Sequence, residues 1–344
     1  MGDGPLPCQM YSELSKGDAQ MIDSGTIIDG RWNIIHMMSV GGFGQVFMGL
    51  DMRNGERRAI KVESLNASIQ LIDNEVDCLI NATKYTRSIS PLVQLYSYGC
   101  TNEVRYMVME LVGRNVRELK KCTVSDRFSL CTTLWIMKEM INALEFLHTT
   151  GWIHRDVKPP NFCISESGER RLYLIDFGMS RRYRDNDGRM KRKEDRCSFH
   201  GTVRYASCGC HSRKDVSRWD DLWSVYYIGC ENGIGELPWR HSNDKNEVGK
   251  MKESIDLLNP IYWQPVICPS SIIYLRDILL NNEMVDDDIS FYEEPPYNTL
   301  NQHTMDELSR FGWNESYSLT DWEILSMNGD IISSNQYNLI PSST

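Results

Sequence analysis

His154-Arg155-Asp156-Val157-Lys158-Pro159-Pro160-Asn161 decides how the rest of this chain is read. It sets a carboxylate, a cation and an amide at short intervals. Upstream stands Ala59-Ile60-Lys61, and downstream Asp176-Phe177-Gly178. Each string alone is common, and a lone loop aspartate is usually a turn residue or a helix cap. Their order and spacing together are hard to obtain by chance. Lys61 suits the α- and β-phosphates of a nucleotide, and Asp156 suits the proton of an incoming hydroxyl. Lys158 can neutralise charge on the group in transit, and Asn161 and Asp176 offer hard oxygens to Mg²⁺. These are the parts that phosphoryl transfer from ATP needs.

The glycine loop fits the same chemistry. In Ser39-Val40-Gly41-Gly42-Phe43-Gly44-Gln45-Val46, the glycines let backbone amides approach a triphosphate closely. Such a string alone also marks dinucleotide folds or a plain hairpin turn. Here strand-like residues follow it, with Lys61 beyond, and no helix opens at the third glycine. That excludes a nucleotide-binding oxidoreductase. Glu75, on a helix expected over 68–82, is the natural ion-pair partner of Lys61, with Asp73 and Asp77 close by in sequence.

The pattern predicts an α+β, two-lobed fold with one cleft where these groups converge. Strand-like runs cover 32–38, 46–50, 58–62, 92–98 and 105–111, and Asn54-Gly55 is a tight-hairpin signal. They describe a small antiparallel β-sheet lobe with one helix, over 28–111. From Thr132 the apolar period becomes helical through Leu134, Met137, Ile141, Leu144 and His148. Further helices are expected over 220–233 and 271–280, giving a larger, mainly helical lobe over 112–325. Residues 1–27 read as a loose leader and 326–344 as a short flexible tail.

Composition sets the outer bounds. The 344 residues are 41% apolar, enough for a sizeable core, and the net charge of -10 argues against nucleic-acid binding by bulk charge. No apolar run reaches membrane length. There is no basic-then-apolar leader, and Leu6 stands where a myristoylation signal after Gly2 wants Ser or Thr. Eleven scattered cysteines fit free thiols in a reducing cytosol. The expectation is a monomer without membrane or nucleic-acid partners, located in the cytoplasm, with the nucleus also open.

These residues resemble the eukaryotic protein kinases of the casein kinase 1 group, and within it the tau-tubulin kinase branch. The likeness covers residues 30 to 325. It is carried by Gly201-Thr202-Val203-Arg204-Tyr205-Ala206-Ser207, Arg218-Trp219-Asp220-Asp221-Leu222-Trp223-Ser224, Gly235-Glu236-Leu237-Pro238-Trp239, Asn161-Phe162, Pro296-Tyr297 and Asp321-Trp322. The resemblance implies a serine/threonine kinase using ATP and Mg²⁺. It makes Met109 the gatekeeper, Glu110 to Val112 the adenine-binding hinge, and Ala59, Val46, Cys163 and Ile175 part of the nucleotide wall. It has Asp221 brace the catalytic loop. Ser39, Pro160 and Cys163 depart from the family pattern, yet none removes a catalytic group. They motivate the alternative of a pseudokinase scaffold, against which the complete set Lys61, Asp156, Asn161 and Asp176 stands.

Between Arg181 and Arg218 the charge reverses. Twelve basic residues face five acids there, a local +7 inside an acidic chain. The family lays its substrate on this stretch. Arg181, Arg182, Lys191, Arg192, Lys193, Arg204 and Lys214 are therefore candidates to bind acidic or phosphorylated protein substrates, since a phosphate suits several arginines at once. A solvated loop is the plainer reading. Cys197, His200, Cys208, Cys210 and His211 fit no standard zinc spacing.

Overall fold

A computed structural model describes residues 21–42, 44–85, 90–123, 125–167, 169–185 and 187–327. Phe43, the leader through residue 20 and the tail from residue 328 lie outside the described residues. The described residues divide into two compact units, one within 21–80 and 93–111, the other within 81–92 and 112–327.

The first unit is a six-stranded antiparallel sheet in the order β1-β2-β3-β4-β6-β5. Its strands are β1 (Ile27–Ile28), β2 (Trp32–Gly41), β3 (Gly44–Asp51), β4 (Arg57–Ser64), β5 (Leu95–Cys100) and β6 (Val104–Glu110), and most of helix α1 (Ile72–Thr83) belongs with them. Strand β3 shows the cause most simply. Its residues alternate between half-buried and buried, so Gln45, Phe47, Gly49 and Asp51 face inward with the period of a pleat. Phe47, Ile60, Tyr106 and Val108 are fully buried and form one core with Trp32 and Ile34.

Three expectations change. Residues 68–71 are not helical, and α1 starts at Ile72, where Glu63 accepts the amide of Leu71 at 2.8 Å. The β3–β4 turn spans residues 52–56 rather than two residues. Only Gly55 takes a positive φ (74°), while Asn54 caps the turn by accepting the Glu56 amide at 3.0 Å. Residues 21–27 are tied to the sheet and not loose, since Ile22 is buried in the core and the Gly25 amide donates to Ile34 at 2.7 Å, although 23–27 are exposed.

The second unit is mainly helical. Three short strands, β7 (Val112–Asn115), β9 (Phe162–Ser165) and β10 (Leu172–Leu174), form one sheet, and β8 (Trp152–Ile153) pairs with β11 (Arg181–Arg182). Its helices are α2 (Val116–Lys121), α3 (Leu130–Thr149), α4 (Cys208–His211), α5 (Arg218–Ile234), α6 (Lys245–Ser254), α7 (Pro260–Trp263), α8 (Ser270–Glu283), α9 (Asp287–Tyr292), α10 (Tyr297–Arg310) and α11 (Asp321–Met327). Helix α3 is apolar on nearly every side and lies between α5 and α10. Helix α5 starts in a capping box, Ser217 with Asp220, which fixes where Asp221 enters the core. Helix α11 is held by Trp322, packed edge-on to Phe128 and Trp135. Among the described residues no helix is long and apolar enough to cross a membrane.

Candidate active site

In the small unit the glycine loop closes β2 onto β3. Ser39 pairs with Val46, Val40 with Gln45 and Gly41 with Gly44. Gly41 and Gly42 are exposed. A Cβ on Gly44 would stand 2.3 Å from the Val62 carbonyl, so only glycine allows β3 to lie this close to β4. Lys61, on β4, pairs with Val46 and Met107, and its Nζ lies 2.6 Å from Glu75 Oε2. Glu75 is fully buried, whereas Asp73 and Asp77 are exposed, which singles out the carboxylate for Lys61. Ala59 and Met109 are buried neighbours across β4 and β6, and Glu110 ends β6. Glu75→Ala strips Lys61 of this carboxylate. The rate of phosphate transfer, followed against ATP concentration, is expected to fall about 10²-fold through misplacement of the ammonium.

In the large unit the loop after β8 carries the acid. Asp156 is buried, and both its oxygens are engaged: Oδ2 by Lys158 Nζ at 2.5 Å and Oδ1 by the Thr202 hydroxyl at 2.7 Å. The Asn161 side-chain amide donates to the Asp156 carbonyl at 3.0 Å, which leaves Asn161 Oδ1 as the atom for a cation. Asp176 takes φ 65°, a left-handed conformation that a non-glycine residue adopts only when its surroundings demand it. Before it, the Ile175 amide donates to Asn161 at 2.9 Å and its carbonyl faces His154 Nε2 at 3.2 Å. Phe177 is fully buried against the His154 ring. One amide oxygen and one carboxylate suit Mg²⁺, which keeps waters and substrate phosphates and seldom sits in an all-protein cage. Val112 opens β7 opposite Ser165. Cys163 is buried on β9, and burial pushes its thiol pKa up.

The loop is braced from below by Asp221. Its Oδ2 accepts the His154 amide at 2.7 Å and faces His148 Nε2 at 2.8 Å, while Oδ1 accepts the Arg155 amide at 2.9 Å. Burial alone would raise the Asp221 pKa, but these bonds, led by His148, leave it below its ordinary value. Burial pulls the His148 pKa down, opposed by the bond to Asp221. Its Nδ1 faces the Tyr297 hydroxyl of α10 at 2.5 Å. Gly201 completes the site, since a Cβ there would stand 2.4 Å from the Arg155 carbonyl. The roles of His148 and Tyr297 escaped sequence reasoning. A buried histidine on an apolar helical face looks like plain core, and its partners lie 73 and 149 residues away.

Part of the basic stretch is paired within the chain. Arg181 lies 2.5 Å from the buried Asp215, Lys193 is 3.6 Å from Asp288, and Arg204 donates to the Arg240 carbonyl at 3.0 Å beside Glu231. Arg182 lies over the Trp152 ring. Lys191, Arg192 and Lys214 are exposed. The cysteine and histidine cluster is engaged otherwise: Cys210 donates to the His200 carbonyl, and His211 faces Lys245 O and Lys252. No group of three or more metal-ligating side chains occurs among the described residues.

A glycine loop, a Lys–Glu pair and a braced acidic loop define a protein kinase domain. The chain belongs to that family, whose model matches residues 32–284. It is 34% identical over 308 residues to a Dictyostelium discoideum protein named a probable serine/threonine-protein kinase, across 89% of this chain and 59% of that one. It is 31% identical over 279 residues to the Caenorhabditis elegans serine/threonine-protein kinase spe-6, across 79% of this chain and 70% of that one. A second C. elegans protein, provisionally named a casein kinase I, is 32% identical over 231 residues, 67% of each chain. The chain thus spans 59% of the length of its Dictyostelium relative.

Proposed function

We propose that this chain is a serine/threonine protein kinase of the casein kinase 1 kind, moving the γ-phosphate of ATP to Ser or Thr hydroxyls of acidic or phosphorylated proteins. The observation that carries the reading is Asp156, held between the Lys158 ammonium and the Thr202 hydroxyl. The Thr202 hydroxyl makes to the carboxylate the bond that an acceptor hydroxyl would make. Asp156 orients that hydroxyl and takes its proton. Lys158 stands where charge collects on the moving group. Lys61, oriented by Glu75, steadies the phosphates. Asn161 and Asp176 would hold Mg²⁺, whose chemistry is to neutralise phosphate charge. Positioning and charge neutralisation supply most of the rate.

Incubation with γ-labelled ATP, Mg²⁺ and casein is expected to yield labelled phosphoserine or phosphothreonine. Label no higher than with Asp156→Asn would favour a scaffold without catalysis. Substrate preference rests on the local +7 of residues 181–218, of which Lys191, Arg192 and Lys214 are exposed. At low salt an acidic or phospho-primed peptide should be phosphorylated several-fold faster than its neutral counterpart, and the advantage should shrink with salt. Equal rates would remove the acidic preference and leave the kinase assignment standing.

A further inference from the structure

Lys252, on α6, is a buried lysine that the reaction does not use, only 8% exposed. Its Nζ donates to the carbonyls of Ala206 at 2.5 Å and Val203 at 2.9 Å, and lies 3.2 Å from His211 Nε2. The rings of Tyr227 and Trp239 lie 4.7 and 5.4 Å away. The geometry fixes the proton count. His211 Nδ1 is 2.8 Å from the Lys245 carbonyl and must carry a hydrogen. Burial and then the neighbouring Lys252 pull the His211 pKa down to about 4, so the ring is neutral and its Nε2 accepts. Lys252 therefore faces three acceptors, which the ammonium form satisfies and the neutral amine does not.

What it holds is the segment that reaches the catalytic acid. Thr202 donates to Asp156, and its carbonyl accepts the amides of Tyr205 and Ala206 at 3.0 Å. The Arg204 carbonyl takes Trp239 Nε1 at 2.9 Å and the Tyr205 carbonyl takes the Ser224 hydroxyl at 2.8 Å. All carbonyls from 202 to 206 are thus occupied, two of them by the one ammonium. We infer that Lys252 is a positioning residue for the protein substrate, setting the shape of the 202–206 loop on which an acidic peptide docks beside Asp156. The inference deepens the kinase reading and rests on it for the identity of the ligand.

Burial works against the charge and draws the Lys252 pKa down to about 7, close to working pH. The titratable groups around it are His211, Cys208 and Cys210 of α4 and Tyr227 of α5, with Glu253 beside it on α6 and Glu283 of α8 behind Cys208 and Tyr227. Loss of one proton removes one of three bonds and loosens the loop. Stability moves the other way. Unfolded lysine keeps its proton to about 10.5, so between 7 and 10.5 the unfolded chain binds more protons and this group's contribution to stability rises with pH. Weaker docking at alkaline pH is therefore not loss of the fold at this group.

The test separates binding from catalysis. A fluorescein-labelled peptide of Ser, Asp and Glu, without His or phosphate, is titrated onto the full chain, and its Kd is read by anisotropy. Lys252→Met keeps the stem and removes the charge; binding is expected to weaken roughly ten- to a hundredfold, the loss of charge-assisted hydrogen bonds. In the unaltered chain the Kd should rise as pH climbs from about 6 to about 9, and Lys252→Arg should bind with little pH dependence. A folded Lys252→Met that binds as tightly as the parent overturns the inference. A flat parent profile overturns it too, and needs no variant to fold. Peptide binding without any phosphate transfer by the parent would instead sink the kinase reading and leave the role of Lys252 intact.

Discussion

Asp156→Asn is expected to lower the rate of phosphate transfer to casein by about 10²–10⁴-fold at saturating ATP, the usual worth of positioned general-base catalysis. The substitution is nearly isosteric and leaves an oxygen for the Thr202 hydroxyl, so the 202–206 loop keeps its tie to the catalytic loop. What disappears is the charge that faces Lys158 at 2.5 Å and the ability to take a proton. The KM for ATP should move little, because in the proposed reaction Asp156 meets the acceptor and not the nucleotide. Initial rates with labelled ATP settle the matter. A variant keeping more than about a tenth of the parent rate would show that the proton goes elsewhere.

Asp221→Ala has the largest expected effect on stability. The carboxylate is 3% exposed and accepts two backbone amides besides facing His148. Alanine leaves these donors buried and unpaired, and breaking such a buried, charge-assisted set costs roughly 3–5 kcal/mol. Thermal or urea unfolding of parent and variant measures it. Activity falls as well, since Arg155 sits at φ 65° and its amide bond to Asp221 is one of the contacts that hold it there. The sign with pH follows from the depressed pKa of Asp221. Its stabilising share is complete above the ordinary value of 3.8 and is lost as pH falls through the lower folded value. The parent should therefore lose stability below that point, and the variant should lack this share of the loss. Equal stability of the two at neutral pH would mean that the loop holds itself.

The chemistry-bearing strings were legible because each is local. The strands around Lys61 announced themselves through alternation, and α3 through its apolar period. Pairings across long stretches of chain were not. Arg181, Lys193 and Arg204 read as cations free for a substrate, yet the fold brings Asp215, Asp288 and Glu231 to them. Lys252 sits in a strongly polar helix, and nothing in its sequence neighbourhood signals its burial against α4 and α5. The start of α1 differs because the Glu63 side chain of β4 accepts the Leu71 amide just before Ile72, a contact from the neighbouring strand that residues 68–71 do not announce. Ile22 and Gly25 looked like part of an unstructured leader because their partners, the core and Ile34, are set by the sheet and not by their neighbours.

The Tyr297 hydroxyl also bears on how far the chemistry reaches along the polypeptide. Every group that would touch substrate lies before α5, yet Tyr297 opens α10, and Asp321 of α11 accepts the Ser129 amide that begins α3 at 2.6 Å. A shortened chain that stops after α8 would retain every reacting side chain. It would still lose the phenol behind His148 and the acidic clasp on the first turn of the central helix. The contacts that shape the catalytic loop and the central helix therefore reach through the last described helix.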